Sequence, residues 1–126
     1  MKIHRGVSLS VGVSYLKKSI INLLNIELNP GEIKLLPGGI KHIRGKRPDC
    51  FDKYLSKISS IINKPDYIGS NPQYPNSVEY IKKIEENVLV AIRLDNKKSI
   101  LCIATMYPIT DSKIKRMVIK NRIIKL

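Results

Sequence analysis

Residues 87–94 read "NVLVAIRL", with apolar side chains at both alternating sets of positions. A short run of that kind suits a strand covered on both faces, as in the centre of a packed sheet. Glu85-Glu86 on one side and Asp95-Asn96-Lys97 on the other are short enough to close antiparallel hairpins. They join this run to "SVEYIKKI" (77–84) and "KSILCIATMY" (98–107), the second of which is again apolar on both faces. An antiparallel meander is therefore expected in the C-terminal half. Arg93 is its odd member, because a charge in a central strand is costly unless it enters a cleft or meets a partner. An acid such as Glu79 on the neighbouring strand and a bound phosphate are both open as that partner.

Upstream, the apolar spacing is mostly helical. "VSLSVGVS" (7–14) alternates apolar and small polar residues and suggests a strand, with a lead into the next helix through its serines and glycine as the open alternative. From Ser14 onward, Leu16, Ile20, Leu23 and Leu24 follow helical spacing, with Lys17 and Lys18 turned out. "ELNPGE" ends that helix, and "IKLLPGG" reads as a short extended piece followed by a turn. "GGIKHIRGKRP" accommodates two short helical turns before Pro48. Pro48-Asp49 then opens the helix "DCFDKYLSKISSIINK", with Phe51, Leu55, Ile58 and Ile62 as its buried stripe. "NKPDYIGSNPQYPNS" carries prolines at 65, 72 and 75, so a loop is expected there, with at most a short edge strand. "ITDSKIKRMVIKNRIIKL" reads as a helix from about Asp111, with Arg122 to Leu126 as a last strand or tail. The expected fold class is α+β over one domain, residues 1–126. Its N-terminal helices would pack on a four- to five-stranded antiparallel β-meander.

At 126 residues the chain can build one real core. Lys and Arg number 23 against 10 acids, a net charge of +13. Self-repulsion on that scale works against the compact state, so a polyanionic partner is expected. Nucleic acid comes first, an acidic protein second and an anionic membrane surface third. With no tryptophan and one phenylalanine, a broad base-stacking platform is poorly supplied, although six tyrosines leave room for one or two stacking contacts. Cys50 and Cys102 lack CxxC spacing and a histidine pair at zinc-ligand distance, so both read as small core residues. That usage suits the cytoplasm, whether of the producing cell or of a target cell into which the protein is delivered. Serines interrupt the N-terminal apolar run, and no stretch has the length of a membrane span, so neither a signal peptide nor a membrane partner is expected. P-loop, GxGxxG, GxSxG and acidic metal-cluster patterns are missing, and no cofactor or metal is expected.

The stretch "GGIKHIRGKRPDC" (38–50) places Lys41, Arg44, Lys46 and Arg47 around His42. On a helix, His42 and Lys46 share one face at i, i+4, with Arg47 at the end of that turn. Cationic neighbours favour a neutral, proton-accepting ring. Such a group could take a proton from a ribose 2′-hydroxyl while the cations hold the phosphate. A surface histidine beside a solvated basic run is the open alternative. His4, in "MKIHRG", carries no expected role. In "IATMYPITDSKIKR", Thr105 and Tyr107 alternate onto the same face as Leu101 and Ile103, and Pro108 ends the strand so that both hydroxyls emerge at its mouth. Lys113, Lys115 and Arg116 in the next helix extend the positive field.

Three motifs in this order, "LLPGGIKHIRGKRP", "IINKPDYI" and "ILCIATMYPITDSKIKR", resemble the phage-associated toxin nucleases of the Barnase–EndoU–colicin–RelE-like superfamily. The resemblance spans roughly residues 14 to 120. It implies a ribonuclease-like, barnase-like α+β fold and metal-independent cleavage of RNA that leaves a cyclic phosphate. His42 matches the first histidine of the family motif, Lys46 its basic residue, and Thr105 and Tyr107 the hydroxyl pair of the last strand. The motif's second histidine, five residues after the first, is replaced by Arg47, whose guanidinium does not titrate near neutrality. The expected catalytic set is therefore His42, Lys46, Arg47, Thr105 and Tyr107, with Lys41, Arg44, Arg93, Lys113 and Arg116 on RNA phosphates. An inactive nucleic-acid-binding or inhibitor-binding variant on the same fold stays open. Expected partners are RNA (tRNA or another cellular RNA) and an acidic immunity or antitoxin protein.

Overall fold

Val88, Val90 and Ile92 point to one side of their strand and Leu89 and Ala91 to the other, and all five are buried. That two-sided burial makes their strand the middle of a seven-stranded sheet in the computed structural model, which describes residues 11–97 and 99–126. In chain order the elements are β1 (Val11–Leu16), α1 (Lys18–Leu24), β2 (Gly31–Leu35), α2 (Pro37–Lys46), α3 (Pro48–Tyr54) and α4 (Ile58–Asn63). There follow β3 (Tyr67–Asn71), β4 (Tyr74–Lys83), β5 (Asn87–Asp95), β6 (Ile100–Pro108), α5 (Asp111–Ile119) and β7 (Ile123–Lys125). The sheet order is β1-β2-β6-β5-β4-β3-β7.

The expected meander is present as β4-β5-β6, antiparallel throughout. The wider architecture differs from the expectation. β1 and β2 precede most of the helices and β2 pairs with β6 in parallel, so the sheet is mixed and α1–α4 lie mid-chain. The excursion through α2–α4 carries the chain away from β2 before it returns for the meander, and β6 comes back beside β2 in the same direction. Residues 67–71 form a true interior strand, because β7 pairs with β3 and takes the edge. Gly69 makes that pairing possible: a Cβ there would lie 2.5 Å from the Arg122 carbonyl oxygen.

The helical spacing from Ser14 overstates α1. Leu16 is fully buried at the end of β1, and the helix begins only at Lys18. The part of the expected strand 7–14 before Val11, and His4, lie outside the described residues. The long helix expected after Pro48 is divided by a 3₁₀ turn at Leu55–Lys57. Three residues per turn shift the phase of the buried stripe. Tyr54 takes the inward place, donating its hydroxyl to Glu86 at 2.9 Å, while Leu55 is turned out at 39% exposure.

Two cores result. Phe51, Tyr54, Ile58 and Ile61 pack with Leu16, Ile33 and Ile43 on one face of the sheet. On the other, α5 brings Ile114 and Met117 onto Ile81, Leu89 and Ala91, leaving the rest of that face for the cleft described next.

Candidate active site

One register shift decides which side chains face the cleft. Ala91 of β5 pairs with Thr105 of β6, but the next residue, Ile92, pairs with Ile103, so Ala104 is an additional residue in β6. A β-bulge of this kind reverses the alternation beyond it. Leu101 and Ile103 therefore enter the helix-covered core. Thr105 and Tyr107 emerge on the opposite face, in register with Ala91 and Leu89. The expectation that all four share a face is corrected: simple period-two counting cannot register an inserted residue.

α2 occupies the flank of β6 beyond the point where β2 pairs with it, at Lys34 and Cys102. Gly39 permits the approach, since a Cβ would meet the Ile103 carbonyl oxygen at 3.0 Å. Pro37 at the first turn supplies a preset φ and no unsatisfied N–H. With Ile43 buried in the core as the anchor, the neighbouring His42 is exposed toward the cleft. Pro48 then stops α2. Arg47 ends α2, donating its N–H to the Ile43 carbonyl, and also precedes α3, accepting from the Phe51 N–H, both at 2.9 Å. That double role pins the Arg47 backbone where its guanidinium lies 5.9 Å from the centroid of the Tyr107 ring.

The cleft has a volume of about 260 Å³ and brings together His42, Thr105, Tyr107 and Arg93, four of the residues singled out in the sequence. Lys113 joins them from α5, its ammonium 5.8 Å from the centroid of the Tyr107 ring. Thr110 fixes that position by capping α5, its hydroxyl accepting from the Lys113 N–H at 3.2 Å. Burial pushes the Tyr107 phenol above its ordinary pKa and the Glu79 charge adds to the rise, while Arg122 and Arg47 oppose it. Tyr107 thus stays a hydrogen-bond donor at neutral pH. Lys46 lies outside this cleft, in an adjoining hollow of about 400 Å³ that it shares with Arg47, Lys53 and Pro108.

The other expected phosphate ligands lie elsewhere. Arg44 is 3.6 Å from Asp52 and stacks over Phe51, which turns it toward α3. Lys41 and Arg116 are exposed and line neither hollow. Arg93 does not pair with Glu79. Instead Arg122 Nη2 donates to both Glu79 oxygens, at 3.0 and 2.9 Å, and the Arg93 guanidinium lies 5.9 Å from the centroid of the Tyr74 ring.

Glu79, Arg122, Asn71, Tyr74 and Ser77 were not foreseen as members of the site. Glu79, only 4% exposed on the cleft floor, had a signal: an acid between Val78 and Tyr80 in a strand must find a buried partner. Asn71 and Tyr74 had none, because the proline-rich stretch read as loop. Among the described residues no three His, Cys, Asp or Glu side chains lie together as a metal-binding group. Cys50 is a buried free thiol, and Cys102 is half-buried, its thiol donating to the Arg93 carbonyl at 3.6 Å.

The family model PBECR3, described as phage-Barnase-EndoU-ColicinE5/D-RelE like nuclease3, matches residues 11–116. The chain belongs to this nuclease family. The match covers β1 through most of α5, and so every residue that lines the PBECR3 cleft, while Arg122, the partner of Glu79, lies beyond it. No curated protein and no solved structure matches the chain. Among the described residues, no helix of this PBECR3 nuclease is long and apolar enough to cross a membrane.

Proposed function

We propose that this PBECR3 nuclease is a metal-independent endoribonuclease that uses the ribose 2′-hydroxyl as its nucleophile. One observation carries the reading: His42 of α2 and, far from it in sequence, Thr105 and Tyr107 of β6 line one cleft edged by the Arg47 guanidinium. In the reaction, His42 takes the proton of the 2′-hydroxyl. The 2′-oxygen then bonds to phosphorus while the bond from phosphorus to the 5′-oxygen breaks, giving a 2′,3′-cyclic phosphate and a 5′-hydroxyl. Arg47 and Lys113 stabilise the added negative charge on phosphorus, and Lys46 holds the strand in the adjoining hollow. Thr105 and the protonated Tyr107 donate hydrogen bonds to phosphate oxygens, and water protonates the departing 5′-oxygen. The +13 charge supports RNA as the polyanion and suits an acidic inhibitor protein on the same surface.

Total RNA incubated with the purified protein and EDTA tests this. Cleavage with cyclic-phosphate ends is expected, with His42→Ala slowed about 10²- to 10⁴-fold. Cleavage that survives the loss of His42 would remove its role, and no cleavage by either the parent or Arg47→His would sink the nuclease mechanism. Arg47 favours a second reading, a binding domain without catalysis, because a guanidinium cannot exchange protons near neutrality. RNA binding that weakens steeply with salt, without cleavage, would support that reading.

A further inference from the structure

We propose that the end of the cleft formed by Tyr74, Arg93, Asn71 and Ser77 is a nucleobase subsite, which stacks one unpaired base of a single-stranded RNA on the Tyr74 ring. The inference rests on the reading of this cleft as an RNA site and adds to it how the strand is held.

Tyr54 and Tyr80 are spent in the core, and Tyr107 lies between Arg47 and Lys113. Tyr74, by contrast, lines the His42 cleft and remains 51% exposed. Its backbone is fixed before any ligand arrives. Asn71 pairs with Tyr74 across the β3–β4 hairpin, and Asn71 Oδ1 accepts from the Gln73 N–H at 3.0 Å. Ser77 Oγ donates to the Tyr74 carbonyl at 2.5 Å. A ring on a rigid turn loses little freedom when a base lies on it. Arg93 adds a planar guanidinium 5.9 Å from the ring centroid, a second surface on which bases stack.

The rest of the subsite provides room and polarity. Ala91 and Ala104 line the same cleft, and their small side chains keep the floor low. The Ser77 hydroxyl, already donating to Tyr74, keeps lone pairs for a base N–H. A cleft of about 260 Å³ admits a splayed base but not a duplex, which fits recognition of unpaired RNA. Because the base site and His42 line one cleft, the stacked base sets which phosphodiester lies at His42.

The test measures binding alone. A fluorescent heptaribonucleotide with every 2′-hydroxyl methylated cannot be cleaved, and a series replaces one base at a time with an abasic residue. In the parent protein, one abasic position is expected to weaken binding about 5- to 150-fold, the range of base–aromatic stacking, while the others change it little. In Tyr74→Leu that position-specific penalty disappears, whereas Tyr74→Phe keeps it, a coupling that isolates the pair. Tyr74→Leu should also leave the slope of affinity against salt unchanged, because stacking releases no counterions. The proposal is overturned if no abasic position matters, or if Tyr74→Leu weakens intact and abasic strands equally. Cleavage of total RNA by the parent protein, with no abasic penalty in this binding series, would remove this subsite and leave the nuclease mechanism standing. The penalty without cleavage would do the reverse.

Discussion

The two faces of the sheet solve opposite problems. The face under α1–α4 buries Phe51, Tyr54, Ile58 and Ile61 against the strands. Among the described residues, the Tyr80 hydroxyl is buried there without a hydrogen-bond partner. Among the described residues, the other face is covered by one short helix, α5, and keeps Glu79, Ser77 and Thr105 among its inward residues. Stability is concentrated where apolar area is removed from water, and chemistry where half the cover is missing. The opening depends on the bulge at Ala104 and on β7, which delivers Arg122 to Glu79.

Substitution of Phe51 by alanine should separate the faces most sharply. Truncating a fully buried ring should cost about 3–5 kcal/mol in urea unfolding. The RNA cleaved per folded molecule should stay close to the parent value, and a parallel loss would show that the faces are coupled. A smaller effect is expected for Arg122→Ala, on the order of 3 kcal/mol, because the largely buried Glu79 charge is left without its partner. Here affinity for a non-cleavable RNA should fall as well, since an uncompensated carboxylate then faces the phosphates. Unchanged affinity would separate the pair from the cleft.

Tyr80→Phe should have the least effect near neutral pH, a gain of up to about 1 kcal/mol from removing a buried hydroxyl with no partner. Its pH dependence is more telling. Burial raises the phenols of Tyr80 and Tyr107 above their ordinary value of 10.0. The stability linked to them is complete below pH 10.0 and is lost as pH rises through the raised folded values. Denaturation followed above pH 10.0 should therefore show a shallower decline in Tyr80→Phe than in the parent. An identical decline would assign the alkaline loss to other groups.

Much of this was legible before the fold was known. Two-sided apolar runs announced β5 and β6, and Pro48 marked the start of α3, whereas Pro37, which read as part of a turn, opens α2. His42, Thr105, Tyr107 and Arg93 could be picked out as chemistry-bearing because charge and hydroxyl groups stand out against apolar periodicity. Tyr74 and Asn71 could not, since a proline-rich stretch gives no periodic signal even when it becomes two paired strands. Arg44 shows what a basic run does not tell: its place there suggested a phosphate ligand, and the fold sets it beside Asp52 and Phe51 of α3.

By itself the sequence determined the fold class, the central meander, the excess positive charge and the motif that matched a nuclease family, because each depends on local pattern or composition. Only the tertiary structure decided the parallel β2–β6 pairing, the strand that closes the sheet, and the partner of Glu79. Those depend on contacts between segments far apart in the chain, which local periodicity does not encode. The bulge at Ala104 belongs with them: a single extra residue, set only when β6 lies against β5, turned Thr105 and Tyr107 from the core into the cleft.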